Sequence, residues 1–177
     1  MTGFRPVGER TVFEGYVLRV GVGTFEGPDG NHFERDVIRH PGAVAAMPID
    51  GDEVVLVRQY RSAIDDHTLE IPAGLRDVEG EPPIETARRE LVEEIGMEAG
   101  SLEPLLSFHN AVGYSDEIIH IFVATDLTPV TRVPTSSPEE NDMDIVRLPI
   151  VDALAMVERG EITDAKTIIS LLAIGRP

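Results

Sequence analysis

The chain has 177 residues, 42% of them apolar, and a formal net charge of −17. That length suits one globular unit with a sizeable core, and that charge argues against nonspecific binding to nucleic acid or to an anionic membrane. The absence of cysteine excludes disulfide scaffolds, zinc–thiolate sites and thiol nucleophiles; with no long apolar run and no basic-then-apolar leader, the expected location is cytoplasmic.

Residues 1–10 carry no pattern. Residues 11–25 read as a strand, from Val12, Tyr16, Leu18 and Val20. Gly27-Pro28-Asp29-Gly30 predicts a turn, and therefore an N-terminal antiparallel hairpin returning over residues 32–39. Residues 43–49 and 54–60 are apolar enough for central strands, with Pro48 expected to shorten the first. Residues 69–72 form a short strand leading into a glycine loop at Gly74.

A helix follows. Pro82 and Pro83 suit its entrance, Ile84, Ala87, Leu91 and Ile95 make one apolar stripe, and Gly96 is placed to end it. Strands at residues 102–108 and 118–124 flank an exposed loop. Residues 128–141, with three prolines and the pair Glu139-Glu140, form the longest loop, either a functional one or a solvated acidic spacer. Residues 145–148 are a strand, Pro149 opens a helix, and Asp164 caps another. The expected class is α+β, a mixed sheet flanked by helices.

The central helix has an energetic problem. Glu90, Glu93 and Glu94 fall within five residues, and Glu90 and Glu94 lie one turn apart on the same side. Like charges at this spacing weaken a helix by roughly 0.2–0.5 kcal/mol per pair, and late glutamates face the negative end of the helix dipole. A solvated face or a hard divalent cation such as Mg2+, which takes oxygen ligands, would each relieve it.

The whole stretch, Gly74-x6-Glu81-x7-Arg89-Glu90-Leu91-x-Glu93-Glu94-x-Gly96-Met97, resembles the Nudix box. The family pattern has five residues, not six, between the glycine and the first glutamate; the extra one falls in a loop, where insertion is cheap. The resemblance implies a Nudix fold, an α/β/α sandwich-like arrangement, and a hydrolase that holds Mg2+ or Mn2+ on a substrate pyrophosphate. By position, Glu90 and Glu94 match metal ligands, with Glu93 a ligand in some metal states and the carbonyl of Ala73 another. Arg89 matches a residue that orients a carboxylate. Glu81 matches one outside the first shell of metal ligands, and it reads equally well as a partner for the helix N-terminus.

Val57-Arg58-Gln59-Tyr60-Arg61 and Leu69-Glu70-Ile71-Pro72-Ala73-Gly74 resemble the ADP-ribose pyrophosphatase branch. That resemblance implies a substrate contact for Arg61. Arg39 is a second such candidate, or simply an exposed arginine at a strand end. Metal-bound glutamates are poor bases, so a loop carboxylate is expected to take the proton from water; the branch uses a glutamate in the region of Glu139 and Glu140. The implied substrate is ADP-ribose, cleaved to AMP and ribose 5-phosphate. Alternatives are GDP-mannose, NADH or a dinucleotide, or a sensing module without turnover. Val112-Gly113 departs from the branch, which usually has proline before the glycine, and that loosens substrate choice. The branch also implies a homodimer built through the N-terminal strands. Residues 1–40 would form that dimerisation and substrate-binding region and residues 41–177 the hydrolase domain, within one globular unit. Phe13, Tyr16 and Phe25 are either an adenine platform or ordinary sheet packing. The five histidines show no metal-ligand spacing.

Overall fold

A computed structural model describes residues 3–132 and 137–175, with the side chain of Glu140 outside the described set. The chain divides into two compact units, one comprising residues up to 42 together with 108–118, the other the remainder.

In the first unit, β1 (Arg5–Glu14), β2 (Arg19–Glu26) and β3 (His32–Arg39) form an antiparallel sheet in that order. The hairpin turn stands where the glycines predict it: Gly30 N–H donates to the Gly27 carbonyl at 3.0 Å, with Gly30 at φ +77°. Two expectations are corrected. Residues 5–10, though they carry no pattern, belong to a strand, because β1 begins at Arg5, and residues 11–25 are not one strand, because a Gly15–Leu18 turn (2.9 Å) splits them. All ten β1 residues are exposed. A strand that buries neither face shows no period-two signal. Its backbone pairing with β2, from Arg5 opposite Glu26 to Glu14 opposite Arg19, supplies what the side chains do not. Phe25 stacks on Phe33 with centroids 5.7 Å apart, which is sheet packing, whereas Phe13 and Tyr16 are exposed.

The second unit is a seven-stranded mixed sheet. It contains β4 (Ala43–Asp50), β5 (Glu53–Arg61), β6 (Asp66–Glu70), β7 (Ala73–Leu75), β8 (Met97–His109), β9 (Ile118–Pro129) and β10 (Asp144–Pro149). The helices are α1 (Pro83–Ile95), α2 (Pro138–Asn141), α3 (Ile150–Glu158) and α4 (Ala165–Ile174). The main path is β10-β5-β4-β9-β8; β6 pairs with β5 and β7 with β4. β4 and β9 run parallel, with Ala43 opposite Ile119 and Pro48 opposite Ala124.

Pro48 does not shorten β4. That strand meets β5 only beyond it, at Ile49 and Asp50, so no β5 residue in register loses a hydrogen bond to the proline. Likewise Gly74 lies in a strand and not in a loop, and residues 138–141 of the expected long loop form the short α2.

The alternation of β5 explains the layers. Val55 and Val57 join Val44, Ala46, Ala87, Leu91, Ile95 and Phe122 in a core beneath α1. Val54 and Leu56 point to the other face and are equally buried. There α3 contacts β5, and α4 contacts β4 and β6. Full burial of Leu91 alone is worth about 1.5–3 kcal/mol. Among the described residues, no helix is long and apolar enough to cross a membrane.

Candidate active site

α1 is built as its sequence predicts. Pro82, in extended conformation (φ −64°, ψ 144°), stands at the N-cap, and Gly96 closes the helix at φ 62°, ψ 40°, donating to Leu91 and Val92 carbonyls. Beside the apolar stripe the structure reveals a second buried stripe, Thr86, Glu90 and Glu94, each four residues from the next. Glu90 is 7% and Glu94 4% exposed. Two carboxylates on one buried face are costly unless positive charge or donors meet them.

The donors come from two elements, α1 itself and β7. Arg89 Nη1 donates to Glu90 Oε1 at 2.6 Å and to Glu93 Oε2 at 3.0 Å. Ala73 N–H, on β7, donates to Glu94 Oε2 at 3.1 Å. Arg89 Nη2 lies 3.4 Å from Glu81 Oε2, and Thr86 Oγ1 donates to the same oxygen at 2.8 Å. Those bonds, Thr86 first and Arg89 second, hold the Glu81 carboxyl below its ordinary pKa. Glu81 therefore faces Arg89 and Thr86, and Arg89 holds three glutamates at once. Glu81, Arg89 and Glu93 also line an open groove of about 610 Å3 with Glu85, Arg88 and Glu98.

The chain between Gly74 and Glu81 ends in a turn. Glu81 N–H donates to the Val78 carbonyl at 3.2 Å, and Gly80 takes φ +78°. That is a tight turn with glycine at the position requiring positive φ. It brings Glu81 to Arg89 without disturbing α1.

Close approach explains Gly74. β7 pairs with β4, Val44 opposite Gly74 and Ala45 opposite Ala73. A Cβ on Gly74 would fall 1.9 Å from Glu90 Oε1. The Glu90 carboxylate thus lies directly against the β7 backbone, one residue from the Ala73 carbonyl. Among the described residues, no three His, Asp or Glu side chains converge as a ready metal cluster. The donor set that does gather, two buried carboxylates beside a bare backbone, is all oxygen, and it fits a hard divalent cation with Glu90, Glu94 and Ala73 as the groups that would hold it.

Arg61 stands outside this group. Its Nε and Nη2 donate to the two oxygens of Glu70 at 2.6 and 2.5 Å. Glu70 is 2% exposed and also accepts from Thr68 Oγ1 and Lys166 Nζ. Burial opposes its ionisation, yet the Arg61 hydrogen bonds and the charges of Lys166 and Arg61 outweigh that and hold its pKa at about 2. A depressed carboxyl stabilises the fold above its ordinary value of 4.5 and loses that contribution as pH falls towards 2. Acid titration of the folded protein followed by circular dichroism is therefore expected to show a stability loss between about pH 4.5 and 2 that Glu70→Gln flattens. Sequence reasoning missed Glu70 and Lys166; the one signal was a lone glutamate between apolar Leu69 and Ile71.

In the first unit, Arg39 donates to Glu9 through Nε (3.1 Å) and Nη2, and to Asp116 Oδ2 through Nη1 at 3.0 Å. Glu139 is exposed on α2 and accepts from Ser137 Oγ at 3.2 Å. Its charge, after an Asp65 hydrogen bond and burial, helps raise the Tyr60 phenol pKa, so Glu139 lies near the strand that carries Arg61. The Glu140 side chain falls outside the described residues.

A family model described as the NUDIX domain matches residues 39–170. The chain is 38% identical over 161 residues to a protein named methanol dehydrogenase activator from Bacillus methanolicus, covering 90% of this chain and 86% of that one. It is 37% identical over 172 residues to an ADP-ribose pyrophosphatase from Mycobacterium tuberculosis, covering 97% and 83%. A solved structure described as an ADP compounds hydrolase superposes with a TM-score of 0.84 at 26% identity, covering 97% of this chain and 91% of that one.

Proposed function

Because this chain belongs to the Nudix family, we propose that it hydrolyses the pyrophosphate bond of a nucleoside diphosphate sugar, foremost ADP-ribose, to AMP and ribose 5-phosphate. The observation that carries this reading is the pair of buried carboxylates, Glu90 and Glu94, set against the backbone of Ala73 and Gly74. Burying two carboxylates on one helix face is costly, and a divalent cation held by both would offset that cost.

A bound Mg2+ or Mn2+ supplies charge neutralisation on the pyrophosphate oxygens and lowers the pKa of a bound water. The protein's part is positioning. Arg89 orients Glu90 and Glu93, and Glu81 keeps Arg89 in place. Arg61 presents its guanidinium to the substrate phosphate or ribose. Glu139 or Glu140 takes the proton of the attacking water, whose oxygen bonds to one phosphorus as the bridging P–O bond breaks. Both sit on α2, which contacts β5, the strand that carries Arg61. Arg39 is held by Glu9 and Asp116, and a role towards the substrate would fall to its remaining N–H groups.

One observation favours a second reading of the same chemistry. The chain is also 34% identical over 151 residues to a protein named GDP-mannose pyrophosphatase from Citrobacter koseri, which supports GDP-mannose as the substrate under that reading. The setting that accompanies both readings is a cytoplasmic homodimer. The edge strand β1, with Val7, Val12 and Phe13 exposed, supports a second copy as its cover.

Initial rates on ADP-ribose, GDP-mannose, NADH and diadenosine polyphosphates, with Mg2+ and with Mn2+, test the proposal. ADP-ribose is expected to give the highest kcat/KM. Far better turnover of GDP-mannose sinks the ADP-ribose reading, and binding without turnover of any compound leaves a sensing module. Light scattering on the same preparation reads the dimer, and a mass near 19.3 kDa rejects it.

A further inference from the structure

Lys166 is an expensive residue. It lies at the start of α4, 8% exposed, and its ammonium group is inside the protein between two carboxylates. Nζ donates to Glu70 and, at 3.0 Å, to Asp164 Oδ1. Burying an ammonium costs several kcal/mol before its partners repay it, and a well-packed apolar residue of similar volume often serves stability as well or better. Stability alone is therefore a weak reason for a lysine at this place.

What the lysine touches suggests a better one. Glu70 Oε1 receives Arg61 Nε and Thr68 Oγ1; Oε2 receives Arg61 Nη2 and Lys166 Nζ. Each oxygen has two donors from different directions, so the carboxylate is fixed in rotation. The guanidinium opposite it is gripped along one edge, and that fork geometry fixes its plane. The Arg61 side chain remains 43% exposed, and its Nη1 lies outside the Glu70 fork. The lysine also changes the charge Arg61 presents. With Asp164 included, the two cations Arg61 and Lys166 balance the two carboxylates Glu70 and Asp164, whereas without Lys166 the carboxylates would outnumber Arg61 and repel an anionic ligand.

The anchor is rigid. Asp164 caps α4, accepting from Thr167 N–H at 3.0 Å and from Thr167 Oγ1 at 2.6 Å. Thr167 Oγ1 in turn accepts from Ile71 N–H at 2.8 Å, two residues before Ala73. One turn of α4 is thus tied both to the arginine, through Glu70, and to the short segment that leads from β6 into β7.

We propose that Lys166 is a positioning residue for the diphosphate substrate, acting through Glu70 to hold Arg61 in its binding orientation and to keep its charge available. The proposal rests on Arg61 as a substrate contact.

The test is a double-mutant cycle on the full chain, with ADP-ribose and Mg2+. Arg61→Ala is expected to raise KM. Lys166→Met is expected to raise KM about tenfold with kcat changed less than about threefold, the split expected when ground-state binding is lost. In the Arg61→Ala background, Lys166→Met is expected to change KM no further, because its effect has no other route. Should Lys166→Met fail to fold, Lys166→Gln, which keeps a donor for Glu70 but not the charge, is read in its place with the same expectation. If Arg61→Ala raises KM and the Lys166 variant leaves it unchanged, or raises it equally in both backgrounds, Lys166 is structural only and the substrate role of Arg61 survives. If Arg61→Ala leaves KM unchanged, the reading of Arg61 falls and the proposal with it.

Discussion

Glu94→Gln is expected to lower Mg2+-dependent turnover by at least about a hundredfold while the fold stays intact, since groups that merely support a metal ligand already cost about 10–100-fold. The reasoning is in the geometry. Glutamine has the shape of glutamate, and its amide oxygen can still accept the Ala73 N–H that lies 3.1 Å from Glu94 Oε2. What disappears is a negative charge that is 4% exposed and that would take part in holding the cation. Removing it should leave stability nearly unchanged or slightly raised. Steady-state rates, Mg2+ titration calorimetry and thermal unfolding separate these effects. Unchanged activity in this variant removes the metal assignment.

Gly74→Ala is the second large effect, and it comes from one methyl group. Gly74 has no positive φ, so alanine suits its backbone. The obstacle is the added Cβ, 1.9 Å from Glu90 Oε1 and 2.1 Å from its carboxyl carbon. Glu90 must move by more than 1 Å, and Arg89 Nη1, now 2.6 Å from it, must follow or let go. A displacement of that size in a positioned group can cost about a hundredfold in rate. Turnover is therefore expected to fall about that much, with a far-ultraviolet spectrum like that of the parent. Activity within about threefold of the parent would falsify the view that Glu90 works from its place against β7.

The helix that carries these residues was readable because its information is local. Spacing of three and four gives the apolar stripe, and a glycine after the last turn gives the cap; both depend on neighbours within one element. The burial of Thr86, Glu90 and Glu94 was not readable. It depends on β7 lying against α1, and a glutamate on a buried face has the same letters around it as one in water. Gly74 looked like a loop glycine for the same reason: its purpose is a contact 16 residues away, with Glu90. β1 was missed because ten exposed residues leave no alternation to detect.

Charged partners show the limit most sharply. Arg61 was visible as a candidate, but Glu70 and Lys166, which govern it, are 96 residues apart in the chain. Arg39 reads as a strand-end arginine until Glu9, 30 residues before it, and Asp116, 77 after it, are brought to it.

The sequence by itself determined the family, the reaction type and the side chains of the acidic helix, because catalytic spacing on a helix is a one-dimensional pattern. It also placed the turn at residues 27–30 and both helix caps that glycine and aspartate make. Only the tertiary structure decided which carboxylates are buried and why Gly74 has no side chain. It alone brought Lys166 to Glu70. Burial and ion pairing are properties of surfaces that meet after folding, and their free energies depend on what excludes water from them. No spacing along the chain records that.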